Sequence, residues 1–402
     1  MRPALPSVRR TTRLAGLVVA AALVLVSTPA HAAQNSWTVP RRATVTISGH
    51  GYGHGHGMSQ YGAEGAARQG LGYRQIIDFY YPGASWGTAR GRIRVLITAD
   101  TSDDLVVEAR PGLTLHDTAT SGSTALPDNG ASRWRVTRAA DGANHVAYLT
   151  RRWHDFATLR GEGELFAGGD PITLVTPSGT RAYRGRLRAA APSAGSAARD
   201  TVNTVSLENY LRGVVPLEMP ALWSPAAVRS QSIAARTYAA YERAHPRASS
   251  YQICDSTSCQ VYGGYSAEHP AADDAIATTR QEVLLSGGAP AFTQFSSSSG
   301  GWTSAGSFSY LPARSDPYDA WSGNPVHSWS TDVTDTRLEN TWPAIGNLTR
   351  IATTRDGHGD WGGRLRTVTL SGSRGRVQVS GDAFRAQLGL RSTWMTFRAT
   401  TR

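Results

Sequence analysis

Between Arg92 and Leu187 the chain alternates apolar and polar residues in short bursts: "RIRVLIT", "LVVEA", "GLTLHD", "HVAYL", "PITLVT" and "YRGRLR". Turns rich in Gly, Pro, Asn and Asp separate them. Successive side chains of a strand point to opposite faces, so each burst reads as a half-buried strand, too short and too closely punctuated to be a helix. A β-rich module is therefore expected over residues 87–188.

The run "AAAPSAGSAA" (Ala189 to Ala198) carries nothing large to bury and reads as a loop or linker over 189–200. From residue 201 to 402 the texture changes. "VNTVSLENYLRGVV" is an apolar strand turning into a short helix, and "WSPAAVRSQSIAARTYAAYERA" is the clearest helix in the chain. Ser224 fits its N-cap and Pro225 its first turn, while Val228, Ala235, Tyr238 and Tyr241 supply a stripe to bury. The C-terminus reads strand, strand, short helix, strand. The fold class is therefore α+β.

Residues 1–32 read as a secretory signal: Arg2, Arg9, Arg10 and Arg13 precede an apolar run from Leu14 to Val26 and the small-residue site Ala30-His31-Ala32. No later stretch approaches the ~20 apolar residues that span a bilayer, so no stable membrane insertion is expected after cleavage. A secreted or cell-wall-associated protein follows. Removing the signal takes four arginines from the formal charge of +11, leaving 11 − 4 = +7, which suits an anionic polymer. All 41 basic residues are arginine. Neither a helix-turn-helix pattern nor a basic-aromatic strand motif accompanies them, so no nucleic-acid partner is expected.

In an exported chain Cys254 and Cys259 of "CDSTSC" are expected to form a local disulfide. The alternative is half of a zinc site, which would need further ligands, and His245 is the nearest upstream candidate. "HGYGHGHGMSQYGA" (residues 50–63) packs three histidines and five glycines into fourteen residues. A metal site built from His50, His54 and His56 is one reading of it, although no carboxylate is placed as in metallohydrolase motifs. Glu218, in "GVVPLEMPALWSP", stands among apolar residues and prolines. Lost hydration raises a carboxylate's pKa and suits it to act as a general acid; a surface or capping glutamate is the other reading.

"VNTVSLENYLRGVVPLEMPALWSPAAVRSQSIAARTYA", "CQVYGGY", "SSSSGGWT" and "GHGHGMSQYGA" together resemble the SpoIID/LytB family, which comprises stage II sporulation protein D and the amidase enhancers. The resemblance runs from about Thr44 to Phe397. It implies a lytic transglycosylase acting on peptidoglycan glycan strands, with Glu218 as the catalytic acid, or alternatively a non-catalytic cell-wall binder that stimulates an N-acetylmuramoyl-L-alanine amidase. No cofactor is implied. Substrate contacts would come from Gln231 and Arg236 on the long helix, Gln260 and Tyr262 in "CQVYGG", and Ser297, Ser298 and Ser299 of the serine run. In the opening block His54, Ser59 and Gln60 would line the same cleft.

Two departures stand out. The glycine-histidine block, over 43–86, precedes the rest of the chain, whereas in the family it usually closes the domain; a circular permutation accounts for this when the original termini lie close together. Some relatives bind zinc through a histidine and two cysteines, but that histidine is missing here, and Ser296 stands where a histidine often precedes the serine run. No metal site is therefore expected.

Overall fold

The computed structural model describes residues 35–139 and 142–402. The export signal expected over residues 1–32 lies outside the described residues.

Helices and strands are mixed throughout. The helices are α1 (Gln60–Arg68), α2 (Tyr73–Tyr80), α3 (Leu207–Arg212), α4 (Val215–Glu218), α5 (Pro225–Ala244), α6 (Pro270–Thr278), α7 (Asp335–Thr341) and α8 (Gly381–Leu388). The alternating bursts form strands as their period requires. A six-stranded sheet runs through Asp104–Glu108, Arg133–Arg138 and Ile172–Thr176, and a seven-stranded sheet through Arg92–Leu96, Gly163–Phe166 and Arg186–Ala190. Their alternate residues, including Ile93, Val95, Leu105, Val107, Val136, Leu165 and Leu187, are fully buried in one core.

The seven-stranded sheet does not stop where the sequence suggested a linker. Asp200–Ser206 pairs antiparallel with Arg186–Ala190 on one side and with Arg92–Leu96 on the other. Residues 191–199 therefore connect a hairpin. Ala189 and Ala190 are its buried strand end, where methyl groups fit between layers. The β-rich stretch and the segment after residue 200 share this sheet and its core.

Helix α5 is the axis of the helical layer, contacted by α1, α2, α3 and α6. It buries 14 of its 20 residues, far more than one stripe. Its polar positions hide by bonding inward: Ser230, Ser232 and Thr237 each donate to the carbonyl four residues earlier, at 2.8, 2.9 and 2.7 Å. Ser224 holds the N-cap position but makes no side-chain cap bond; its backbone N–H instead donates to the Glu64 carboxylate at 2.8 Å.

A second core is built from both ends of the described chain. Ala43–His50 lies between Ser328–Thr334 and Met395–Thr401, antiparallel to both, with Ala43 opposite Thr401 and Gly49 opposite Met395. A four-stranded sheet of Asn35–Thr38, Leu348–Arg355, Leu365–Gly372 and Gly375–Ser380 adds to it. Val45, Ile47, Ile351, Val368 and Phe384 fill this core. The glycine-histidine block leaves it at His50 and enters the larger body.

Candidate functional site

Glu218 ends α4, a single turn that Pro216 opens and that stops because Met219 adopts an extended backbone. Its carboxylate is half-buried in a cleft of about 230 Å³. Burial raises its pKa, while the Val261 N–H, donating to Oε1 at 2.8 Å, and a side-chain hydrogen bond from Gln60 partly oppose the rise. A backbone donor faces only an unprotonated oxygen, so when the group is protonated the proton sits on Oε2. Such a carboxyl can give a proton to a bound oxygen and take one back.

The walls come from distant parts of the chain. Cys254 and Cys259 are joined in a disulfide, and the loop they close places Thr257 and Ser258 on the cleft. Tyr238 of α5, Val261, Gln294 and Phe295 complete the wall, and His54 stands in the same cleft as Glu218. Among the described lining residues Glu218 is the sole acid. The volume lies below the ~300–1,000 Å³ typical of closed small-molecule pockets, which suits a groove enclosing one part of a longer ligand.

His54 is held neutral. Its Nδ1 accepts the His56 N–H at 3.0 Å, and burial, followed by the charges of His56 and Arg364, lowers its pKa to about 3. Glycines make this path possible. A side chain at Gly55 would overlap the Arg364 guanidinium, and one at Gly57 the Gln294 carbonyl.

Gln60 and Gln231 form a relay behind Glu218, with Gln60 Nε2 donating to Gln231 Oε1 at 3.4 Å. Both are buried, so they brace the Glu218 carboxylate more than they present a surface to a ligand. The remaining expected contacts lie elsewhere. Arg236 is fully buried, paired with Glu208 through bonds of 3.1 and 2.9 Å and donating to the Ile276 and Glu282 carbonyls. It clamps α5 to α3, α6 and the following strand. Five residues along a helix turn it well away from Gln231, which is why one "RSQSIAARTY" segment cannot aim both side chains at the cleft. Gln260 accepts from the Tyr210 hydroxyl at 3.1 Å, and the Tyr262 hydroxyl donates to Asn203 at 2.7 Å. Both are buried packing residues on either side of Val261.

Ser59, Ser298 and Ser299 converge on two carboxylates that sequence reasoning missed, Asp316 and Asp319 of "SDPYDAW". Ser59 Oγ caps α1 by accepting the Gly62 N–H at 3.0 Å and donates to Asp319 at 2.6 Å. Ser298 donates to Asp319 and Ser299 to Asp316, each at 2.8 Å, while His327 Nδ1 lies 2.8 Å from Asp319. Burial alone would raise Asp319, but hydrogen bonds from His327, Ser59 and Ser298 outweigh it and hold the group below its usual range. Burial and the neighbouring Asp319 charge push Asp316 up to about 7. These serines therefore anchor the glycine-histidine block to the serine run. Ser297 is half-buried, and its carbonyl accepts the Tyr61 N–H at 2.9 Å.

The histidines do not converge either. His50 bonds Ser328 Oγ at 3.1 Å, and the rings of His54 and His56 stack 5.0 Å apart. His245 bonds its own helix at the Tyr241 carbonyl. Among the described residues no three His, Cys, Asp or Glu side chains are grouped to hold a metal ion.

Residues 196–285 match the family model described as stage II sporulation protein. That segment carries Glu218, α5 and the disulfide loop. The chain is 35% identical over 135 residues to the amidase enhancer of Bacillus subtilis (strain 168), a match covering 32% of this chain and 17% of that protein. It is 26% identical over 251 residues to stage II sporulation protein D of Bacillus amyloliquefaciens, covering 56% of this chain and 66% of the relative. The Bacillus subtilis (strain 168) stage II sporulation protein D is 30% identical over 145 residues, with 42% of its length matched. Over this segment the chain is similar to the SpoIID/LytB family, through both its amidase-enhancer and its stage II sporulation protein D members. It spans only a part of each of these relatives, from about a sixth of the enhancer upward. No solved structure matches it significantly. The SpoIID model covers one wall of the cleft; His54 and the Asp316–Asp319 anchor lie outside the matched residues.

Proposed function

We propose that the protein is a peptidoglycan lytic transglycosylase with Glu218 as its single acid and base. The observation carrying this reading is the lone carboxyl group among the described cleft residues, its pKa raised by burial. Ordinary glycosidases need a second carboxyl as nucleophile or as base for water. A lytic transglycosylase does not. Glu218 protonates the glycosidic oxygen of the leaving sugar, the C1–O bond breaks, and the C6 hydroxyl of the same muramic acid attacks C1. The carboxylate then takes the hydroxyl proton, leaving a 1,6-anhydro-muramic acid end and a regenerated acid. His54, neutral and lining the same cleft, has Nδ1 taken by the His56 N–H, so its Nε2–H can only donate, to the Phe295 carbonyl or to a sugar hydroxyl that displaces it.

The likeness to an amidase enhancer favours a second reading, a cell-wall binder that stimulates a partner amidase. Mass spectrometry of purified sacculi after incubation separates the two. Anhydro-muropeptides or anhydro-glycan fragments support the enzyme; absence of both, together with faster release of stem peptides by added amidase, supports the enhancer. Either role places the mature chain outside the cytoplasm at the cell wall. The adjacency of Ala43–His50 to Met395–Thr401 supports a circular permutation, since joined ends would leave the same contacts satisfied.

A further inference from the structure

In the glycine-histidine block every second residue from 50 to 56 carries a ring, and the glycines between are turned onto the protein. Gly51 and Gly53 abut Ser298 and Ser296. His54 stands in the Glu218 cleft, Tyr52 is 47% exposed with the Arg391 guanidinium 6.0 Å from its ring centroid, and His50 carries Trp361 stacked on it at 4.6 Å. His54 follows His50 by four positions, at most ~14 Å of extended backbone.

Trp361 is the unusual member. It sits at φ 58°, ψ 13°, a left-handed conformation that a bulky residue adopts only under strain. Its loop is held rigid. Asp356 accepts from the His358 and Arg364 N–H groups, Gly357 N–H bonds the Gly362 carbonyl at 2.9 Å, and Trp394 Nε1 bonds the Asp360 carbonyl at 2.9 Å. This scaffold holds a strained tryptophan 37% exposed, beside an Asp360 side chain that is 74% exposed and 3.5 Å from His50 Nε2. Packing alone would not require a tryptophan at that backbone position.

We propose that Tyr52 and Trp361, with Asp360, form a distal subsite that binds the glycan strand some sugars away from Glu218. This rests on the glycan reading of the cleft. The C–H face of a pyranose is apolar and weakly positive, and it matches the negative face of an aromatic ring. Asp360 accepts hydroxyl hydrogen bonds at the ring edge, and Arg391 suits the carboxylates that such a strand carries.

The test uses the whole chain with Glu218→Gln to prevent turnover, and glycan strands of two and of eight sugars freed of stem peptides. Adding Trp361→Gly, which removes the ring while accepting the positive φ, is expected to weaken the octasaccharide about tenfold by calorimetry and leave the disaccharide unchanged. The melting temperature should not fall, because the backbone strain is relieved, and Trp361→Phe should restore most of the affinity. An octasaccharide affinity that stays put, or an equal loss for both lengths, overturns the subsite. If the Glu218→Gln chain with Trp361 intact binds neither length, the glycan reading itself fails and takes the subsite with it.

Discussion

Replacing Glu218 by glutamine isolates proton transfer from every other property of the cleft. The amide keeps the length and shape of the side chain, and its Oε1 still accepts the Val261 N–H that fixes the carboxylate at 2.8 Å. Its nitrogen sits where Oε2 held the proton. It can hydrogen-bond the glycosidic oxygen but cannot transfer a proton to it. General acid–base catalysis contributes about 10²–10⁴ in rate, or roughly 3–5 kcal/mol, and in the proposed mechanism one group serves both steps, so the loss of kcat belongs near the upper end with KM little changed. Stability should move in the opposite direction. Burial raises the folded pKa of Glu218 above its unfolded value. The contribution of a raised group is fully present below the unfolded pKa, about 4.3, and is lost as pH rises through the folded one. At pH 7.5 the wild type carries the cost of a desolvated carboxylate, and the glutamine variant does not. Chemical denaturation should therefore show Glu218→Gln more stable than wild type at pH 7.5 and level with it near pH 4, while product mass spectrometry shows no anhydro ends. A variant that still makes anhydro ends, or one less stable at pH 7.5, would refute the reasoning.

The other expectations concern the walls and supports of the cleft. His54 should show a neutral imidazole by NMR throughout pH 5–8, and His54→Ala should slow turnover that chelators leave intact; titration near pH 6.5 would contradict its burial. Replacing Cys254 and Cys259 together by serine should cost about 2 kcal/mol, from the entropy of a short closed loop. It should reduce turnover further by loosening Thr257 and Ser258, and urea melts beside sacculus digestion read the two effects separately. Arg236→Leu leaves Glu208 unpaired and should destabilise by about 3 kcal/mol in urea melts; if glycan affinity of the folded fraction also collapses, Arg236 acts in the cleft after all.

What the sequence made legible follows from the range of the interaction concerned. Period-two alternation from Arg92 onward is a local property, and the strands stand where it put them. Glu218 stands out because its apolar and proline neighbours are adjacent in the chain. Helix α5 was recognisable by its start at Pro225, but not its burial on nearly every side, because Ser230, Ser232 and Thr237 look exposed in a sequence while bonding their own helix in the fold. Arg236 misled for a related reason: a polar residue inside a buried helix suggests a ligand until its partner is known, and Glu208 lies on another element. The Asp319 anchor was invisible because Ser59, which donates to it, is 260 residues away.

The positions of His54 and Glu218 are set by different parts of the molecule. Glu218 is fixed by α4 and by Val261, inside the larger core. His54 hangs on a block whose near end leaves the second core at His50 and whose far end is pinned by Ser59 to Asp319. Its four glycines supply no side-chain packing of their own. The width of the cleft therefore depends on two anchors outside it: the pairing of Ala43–His50 with Met395–Thr401, and the buried carboxylates. A chain with the same glycine-histidine letters but without those anchors would keep Glu218 in place and lose the His54 side of the cleft, because nothing local holds the block in place.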